Sequence, residues 1–320
     1  MQNISENFQK MIDLGKKYRK FNAQDYIRQK IYLINKFFTD NNLNACVLGL
    51  SGGIDSAVVY KLLIKASKQP GSPIKRILGI AMPITCDGTS NQQMATLKAN
   101  ILTKRHSPGS SIIKYAVDDL SKACQAYIDQ VNTVEPNAWA IGQLASIVRT
   151  PHLYFRAALL QQEGFNSIVC GTTNRDEGSY IGFFGKSSDA MNDLQIIADI
   201  HKSEVYEIAK LLDVPQIIID ATPTGDVWDG RVDEEMIGSP YWFLELYLLT
   251  LENKRFEEEI LDIHINMSHE EKEQFVEWTL NIIKIHRKNK HKYNYNNNGF
   301  IEQLGFAKYI DVMKRLIPTK

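Results

Sequence analysis

The 320-residue chain is poor in cysteine: its four cysteines, at 46, 86, 124 and 170, are so widely spaced that no C-x-x-C pair occurs. That argues against a disulfide framework and a cysteine-based zinc site, and predicts a reducing, cytoplasmic setting. Net charge is lacking as well. Lys plus Arg and Asp plus Glu each number 37, so the chain has no general attraction for nucleic acid or an anionic membrane, and any anion must be gripped locally. The most hydrophobic stretch, Tyr241 to Leu251, is interrupted by Glu245 and is too short to span a bilayer. MQNISENFQKMIDLGKKYRK, at the N-terminus, has no apolar signal-peptide core. Two phosphate-binding patterns are also missing. No G-x-x-x-x-G-K-[ST] occurs and no G-x-G-x-x-G opens the first helix of a βαβ unit, which excludes a Walker loop and a dinucleotide fingerprint.

What is present is a 44% hydrophobic composition, enough for a large core, arranged as alternating strands and helices. Ile27, Ile31, Ile34 and Phe38 fall at the spacing of a helix with one buried face. The apolar run Ala45 to Leu50 reads as a strand, Ser51-Gly52-Gly53 as a turn, and Asp55 to Lys65 as a helix. The alternation continues with strands at Arg76 to Met82, Ile112 to Val117 and Ser167 to Gly171, and helices at Gln92 to Leu102, Asp119 to Val131, Trp139 to Gln162 and Lys202 to Leu212. Continuous apolar strands separated by helices predict an α/β fold, a doubly wound parallel sheet covered by helices. Beyond Pro240 no strand is predicted. Tyr241 to Leu251 and Glu271 to Ile285 are the clearest elements of a helical C-terminal annex, and His286 to Gly299 has the composition of a solvated loop.

Ligands on such sheets sit beyond the carboxyl ends of the strands, which directs attention to Gly49-Leu50-Ser51-Gly52-Gly53-Ile54-Asp55-Ser56. Glycines let a backbone approach a ligand, and the first turn of a helix offers unpaired N–H groups and the positive end of a dipole. A polyphosphate fits these features. Asp55 beside it is repulsive unless a divalent cation such as Mg²⁺ lies between. Residues 49–53 also satisfy G-x-S-x-G, which would make Ser51 a hydrolase nucleophile; that reading leaves Asp55 and Ser56 without a role. A third reading is a helix N-terminus capped by Ser51 or Asp55 and nothing more.

Ser51 to Ser56 match the S-G-G-x-D-S loop of the N-type ATP pyrophosphatases, and residues 23–295 resemble the ammonia-dependent NAD synthetase family within that class. The resemblance implies an adenine nucleotide alpha hydrolase-like fold. It also divides the chain into an N-terminal helical extension (1–22), the synthetase-like region (23–295) and a C-terminal tail (296–320). Gly171 to Glu177 resembles the family's G-T-x-x-x-x-E loop, implying that Thr172 helps hold ATP and that Glu177 binds metal with Asp55. Gly182 to Lys186 resembles G-F-F-T-K, and Asp189 and Asp193 stand where the family places acids near the dinucleotide. His201 to Tyr206 is similar to a helix start carrying a phosphate-contacting lysine, here Lys202. Thr222 to Trp228 resembles P-[ST]-A-D-L-W and supplies Thr224; His291-Lys292 resembles a substrate-side pair.

The family's G-N-x-x-A-R-x-R becomes Gly142 to Arg149, with Gln143 for Asn and Ile147 for the first Arg, and its G-D-G-G becomes Ser188 to Met191. These departures fall on the substrate pockets. The resemblance therefore implies a ligase in which Asp55, Lys202 and Thr224 serve the chemistry, and Gly49, Ser51, Gly52, Gly53, Ile54, Asp55, Ser56 and Thr172 hold ATP. Gln143, Arg149, Lys186, Asp189, Asp193, His291 and Lys292 would hold nicotinic acid adenine dinucleotide. By the same resemblance ATP would be a substrate, Mg²⁺ the metal at Asp55 and Glu177, ammonia the nitrogen donor, and the assembly a homodimer. Amidation of a different carboxylic acid and nucleotide binding without turnover are the alternatives.

Overall fold

The computed structural model describes residues 4–85, 91–131, 134–224, 231–293 and, for the backbone alone, 302–303. After helices α1 (Glu6–Arg19) and α2 (Ala23–Asp40) come β1 (Ala45–Gly49), α3 (Ile54–Ser67), β2 (Arg76–Ala81), α4 (Asn91–Thr103), β3 (Ile113–Val117), α5 (Ser121–Gln130), α6 (Ala138–Gln162) and β4 (Ser167–Gly171). The chain continues through α7 (Arg175–Gly178), β5 (Leu194–Gln195), α8 (Lys202–Leu211), α9 (Gln216–Ile219) and α10 (Asp233–Ile237). It then runs through α11 (Tyr241–Glu252), α12 (Lys254–Ile265), α13 (His269–Asn289), a 3₁₀ turn (Lys290–Lys292) and β6 (Glu302–Gln303).

The sheet is parallel with strand order β3-β2-β1-β4-β5-β6. The chain moves outward from β1 to β3 and then returns to the other side of β1, so the order reverses between β1 and β4. Such a reversal opens a crevice at the strands' carboxyl ends, where the loops after Gly49 and Gly171 both lie. Both sheet faces are covered, as the alternation predicts. One core joins α2, α3 and α8 to the sheet through Ile34, Phe38, Val58, Leu62, Val205 and Ile208; the other joins α5 and α6 through Cys124, Val148, Leu153 and Leu160. α3 is buried on nearly every side, which suits its apolar sequence and its central place.

Four differences from the sequence reading have physical causes. β5 and β6 are two residues each, too short to leave a period. On α2 the buried stripe includes Lys30 rather than Ile31, because the ammonium is neutralised by both oxygens of Asp199 at 2.9 Å. α12 adds a helix to the annex, with Phe256 and Ile260 buried one turn apart. Finally, His286 to Lys292 is helical rather than looped. His286 stacks on Tyr180 with ring centroids 3.9 Å apart and pairs through Nδ1 with the Tyr180 carbonyl at 2.7 Å, so tertiary contact overrides a basic, asparagine-rich composition.

The extension at 1–22 is not apart from the rest. Phe8 and Met11 of α1 are buried against Leu246, Leu249, Phe256 and Ile260 of the annex, and Tyr18 donates to Glu259 at 2.5 Å. Among the described residues no helix is long and apolar enough to cross a membrane.

Candidate active site at the carboxyl ends of the strands

A cavity of about 540 Å³ opens where β1 and β4 end. Its floor is the glycine loop. Gly52 has φ +76°, and a Cβ there would lie 2.6 Å from the Ala95 carbonyl, so only glycine lets α4 roof the loop. Gly53 occupies the N-cap of α3 and has no side chain with which to cap it, which turns the first-turn N–H groups and the dipole toward the cavity for an anion. Ser51 Oγ accepts from Gly53 N at 3.2 Å and pairs with Ser56 Oγ at 3.2 Å; Ser56 in turn donates to Gly53 O at 3.0 Å. These bonds set the loop's shape. Among the described residues no histidine reaches Ser51, which removes the activating base that a hydrolase needs. The capping alternative is not what the bonds show: both Asp55 oxygens are engaged by Asn174 and Lys202, and Ser51 Oγ accepts from Gly53 N, the amide of the N-cap residue itself.

Asp55 is instead the centre of a buried charge cluster. Its Oδ2 accepts from Lys202 Nζ at 2.7 Å and its Oδ1 from Asn174 Nδ2 at 2.9 Å. The same ammonium donates to Glu177 Oε1 at 3.0 Å and lies 5.0 Å from the centre of the Tyr241 ring. Tyr241 OH lies 2.9 Å from Glu177 Oε1 and 3.2 Å from Asp233 Oδ2, its single proton serving one or the other. Two carboxylates thus share one lysine, and a third, Asp233, joins them through the Tyr241 hydroxyl. Burial, reinforced by Asp55 and Asp233 and opposed by Lys202, pushes Glu177 up to about 7. For Lys202 burial works against the ammonium, but Asp55 and Glu177 outweigh it and the pKa rises. An all-oxygen set with excess negative charge is the donor chemistry that suits Mg²⁺.

Gly49 to Asp55, Thr172, Thr224, Arg149, Asp189, Lys202 and Glu177 all line the cavity; Ser56 lies just behind it, 2% exposed. Arg149 is held by Met82 O at 3.1 Å and Gln92 Oε1 at 3.0 Å. The remaining expected substrate residues lie off this lining. Gln143 and Lys186 are exposed. Asp193 accepts from Val169 N at 2.7 Å and from Tyr154 OH at 3.0 Å, and so is committed to holding β4 against α6. Lys292 donates to the carbonyls of Gly182 and Phe184 at 2.9 and 2.6 Å, while His291 pairs with Lys288 O. With Asn289 donating to Ile181 O at 2.8 Å, the end of α13 grips the 180–184 segment that carries the cavity-lining Phe183. Ser188 to Met191 form a tight turn with no positive φ, so this backbone does not require glycine there. Of Thr222 to Trp228, residues 225–228 lie outside the described residues.

Sequence reasoning assigned no role to four residues of the site, although Asp233 and Tyr241 fall in a stretch that resembles the family's acidic helix opening. Asn174 stands at the N-cap of α7, accepting from Glu177 N at 3.1 Å, and an Asn just before an acidic helix start is a readable cap signal. Asp233 opens α10 and Tyr241 opens α11; only the tertiary fold brings them to Glu177. Lys98, on α4, lines the cavity and supplies a cation on the roof. Arg175 does not replace the family's missing arginine, since it is fully buried and ion-paired with Glu252.

The sequence profile described as NAD synthase matches residues 26–295. An NH(3)-dependent NAD(+) synthetase of Methanococcus aeolicus is 33% identical over 68% of this chain and 79% of its own. That of Methanocaldococcus jannaschii is 30% identical over 83% of this chain and 90% of its own. The solved structure of an NMN synthetase from Francisella tularensis has the same fold, with a TM-score of 0.66 at 24% identity over 86% of this chain and 97% of that one.

Proposed function

Because the chain belongs to the NAD synthase family, we propose that it makes NAD by ATP-dependent amidation of nicotinic acid adenine dinucleotide with ammonia. The substrate carboxylate attacks the α-phosphorus of ATP, forming an acyl-adenylate and releasing pyrophosphate; ammonia then adds to the acyl carbon, AMP leaves, and one proton is lost. The observation that carries this reading is the Lys202 ammonium bridging Asp55 and Glu177 beside an uncapped helix N-terminus. Charge develops on the departing phosphates, so preorganised donors contribute most to the rate. The backbone of Ser51 to Asp55, the hydroxyls of Ser51 and Thr224 and the ammonium of Lys202 hold the pyrophosphate, with Thr172 beside the nucleotide.

Asp55 and Glu177, joined by Asp233, hold Mg²⁺, which supplies charge neutralisation to the phosphates. Without nucleotide, Lys202 is the counter-ion of these carboxylates; with it, the ammonium faces phosphate oxygens as well. Arg149 and Asp189 face the acid substrate, and Lys98 offers the cation absent at Ile147. The enzyme is read as a cytoplasmic homodimer using free ammonia. Exposed apolar residues on α5 and α6, namely Tyr127, Trp139, Ile147 and Phe155, support a self-association surface.

The test follows AMP, pyrophosphate and amide product from Mg-ATP and ammonium with either nicotinic acid adenine dinucleotide or the corresponding mononucleotide. NAD in step with AMP supports the reading. AMP formed only with the mononucleotide keeps the ATP chemistry and changes the acid, a second reading favoured by Gln143 and Asp193 lying off the cavity.

A further inference from the structure

Glu177 and Lys202 belong to different elements, and their relative position decides whether the ammonium bridges the carboxylates. One residue spans the two. Asp176, next to Glu177 on α7, is fully buried; its Oδ1 lies 2.6 Å from His201 Nδ1 and its Oδ2 accepts the backbone N–H of Lys202 at 2.6 Å. His201 is the N-cap of α8 and is itself fully buried, with its own N–H donated to Glu204 Oε2 at 2.9 Å. Asp176 therefore caps α8 from outside, on the first of its unpaired amides and at the positive end of its dipole.

We propose that Asp176 is a positioning residue for the adenylation step: it fastens the turn carrying Glu177 to the helix start carrying Lys202, and so fixes where the ammonium meets the leaving phosphates. This rests on the placement of Lys202 at the phosphate end argued above. Lysine ends in a flexible four-carbon stem, so its backbone anchor governs its reach, and a displacement of about 1 Å in such a group costs roughly 10²-fold in rate. The trio Asp176, His201 and Glu245, whose potential ligand atoms lie within 4.8 Å of one another, invites comparison with a cation site. The hydrogen bonds argue for a latch instead. Both Asp176 oxygens are engaged at 2.6 Å, and Glu245 Oε2 accepts from Ser203 Oγ at 2.7 Å. Turning Asp176 onto a metal would strip the Lys202 amide of its partner, and a buried unpaired amide is costly.

The experiment is a double-mutant cycle on the full chain. Asp176→Asn keeps the shape and one acceptor. Pyrophosphate release from labelled ATP is followed with enzyme in excess, so that rates about 10⁴-fold below wild type are still read. Alone, Asp176→Asn is expected to lower the rate roughly 30-fold with the apparent ATP affinity within about threefold. In a Lys202→Met background the same change is expected to cost less than about twofold, because there is no ammonium left to position. An equal loss in both backgrounds means a merely structural role and overturns the proposal. If Lys202→Met alone keeps the wild-type rate, the premise about the lysine fails, and the single variant reports that separately from the cycle. Should Asp176→Asn not fold, by thermal melting, Asp176→Glu moves the same two oxygens by one methylene and is taken through the same cycle.

Discussion

The two ends of the cavity were assembled differently. At the proposed phosphate end, the glycine turn and the start of α3 are consecutive residues, and Asp55 among them needs only Lys202 Nζ, 2.7 Å away and shared with Glu177 at 3.0 Å, from elsewhere in the chain. At the acid-substrate end, Arg149 and Asp189 reach the cavity, but Gln143 and Lys186 are exposed and Asp193, His291 and Lys292 serve backbone contacts. Phosphate recognition by a glycine turn and a helix N-terminus is a local device, written in consecutive residues and tolerant of what surrounds it. Recognition of a particular acid depends on side chains delivered by loops and distant helices, and those positions are free to be reassigned to packing.

The sharpest way to break this contrast is to disarm the phosphate end. Asp55→Ala and Lys202→Met are each expected to slow ATP–pyrophosphate exchange by about 10³-fold while leaving the circular dichroism spectrum unchanged; near-normal exchange in either would remove that residue from the chemistry. Next in size is a pH effect. With Glu177 held up at about 7, a divalent cation must displace a proton below neutrality. Apparent Mg²⁺ affinity in the presence of ATP should therefore weaken by roughly tenfold per pH unit below about 7. Stability runs the other way. The folded carboxyl keeps its proton between its ordinary value of 4.5 and about 7, so the metal-free protein loses stability as pH rises through that window. Calorimetric titration showing a flat Mg²⁺ affinity across it would contradict the buried-carboxylate picture.

At the acid end the expected effects are smaller and of another kind. Asp193→Ala leaves the buried Val169 amide unpaired and should cost about 2 kcal/mol in chemical denaturation, with the KM for the acid unchanged; a raised KM at full stability would return Asp193 to the substrate. Least of all, Gln143→Ala should alter both KM and stability by less than about twofold and 0.5 kcal/mol.

How far the sequence was legible follows the same division. The four long strands, the flanking helices and the glycine turn carry periodicity or composition that survives reading in one dimension. Lys30 in an apolar stripe does not, because the partner that makes its burial tolerable, Asp199, is 169 residues away. Tyr241 and Asp233 open helices in the annex, and their part in the site shows only once α11 is packed against α7 and α8. Asn174 is the exception among the residues left without a role: its cap function is local and readable, whereas its bond to Asp55 spans 119 residues.

The seating of α1 bears on how the molecule comes into being. Its docking partners are separated from it by most of the chain: Tyr18 meets Glu259 across 241 residues, and Arg19 pins Glu204 and the Asp199 carbonyl across 185 and 180. Synthesis at about 5–20 residues per second leaves α1 waiting roughly 10 to 50 s after it emerges before Glu259 exists to receive it. During that interval Phe8 and Met11 have no surface to cover them. α1 is thus made well before the elements that receive it, and its arrival ties the annex to the start of α8.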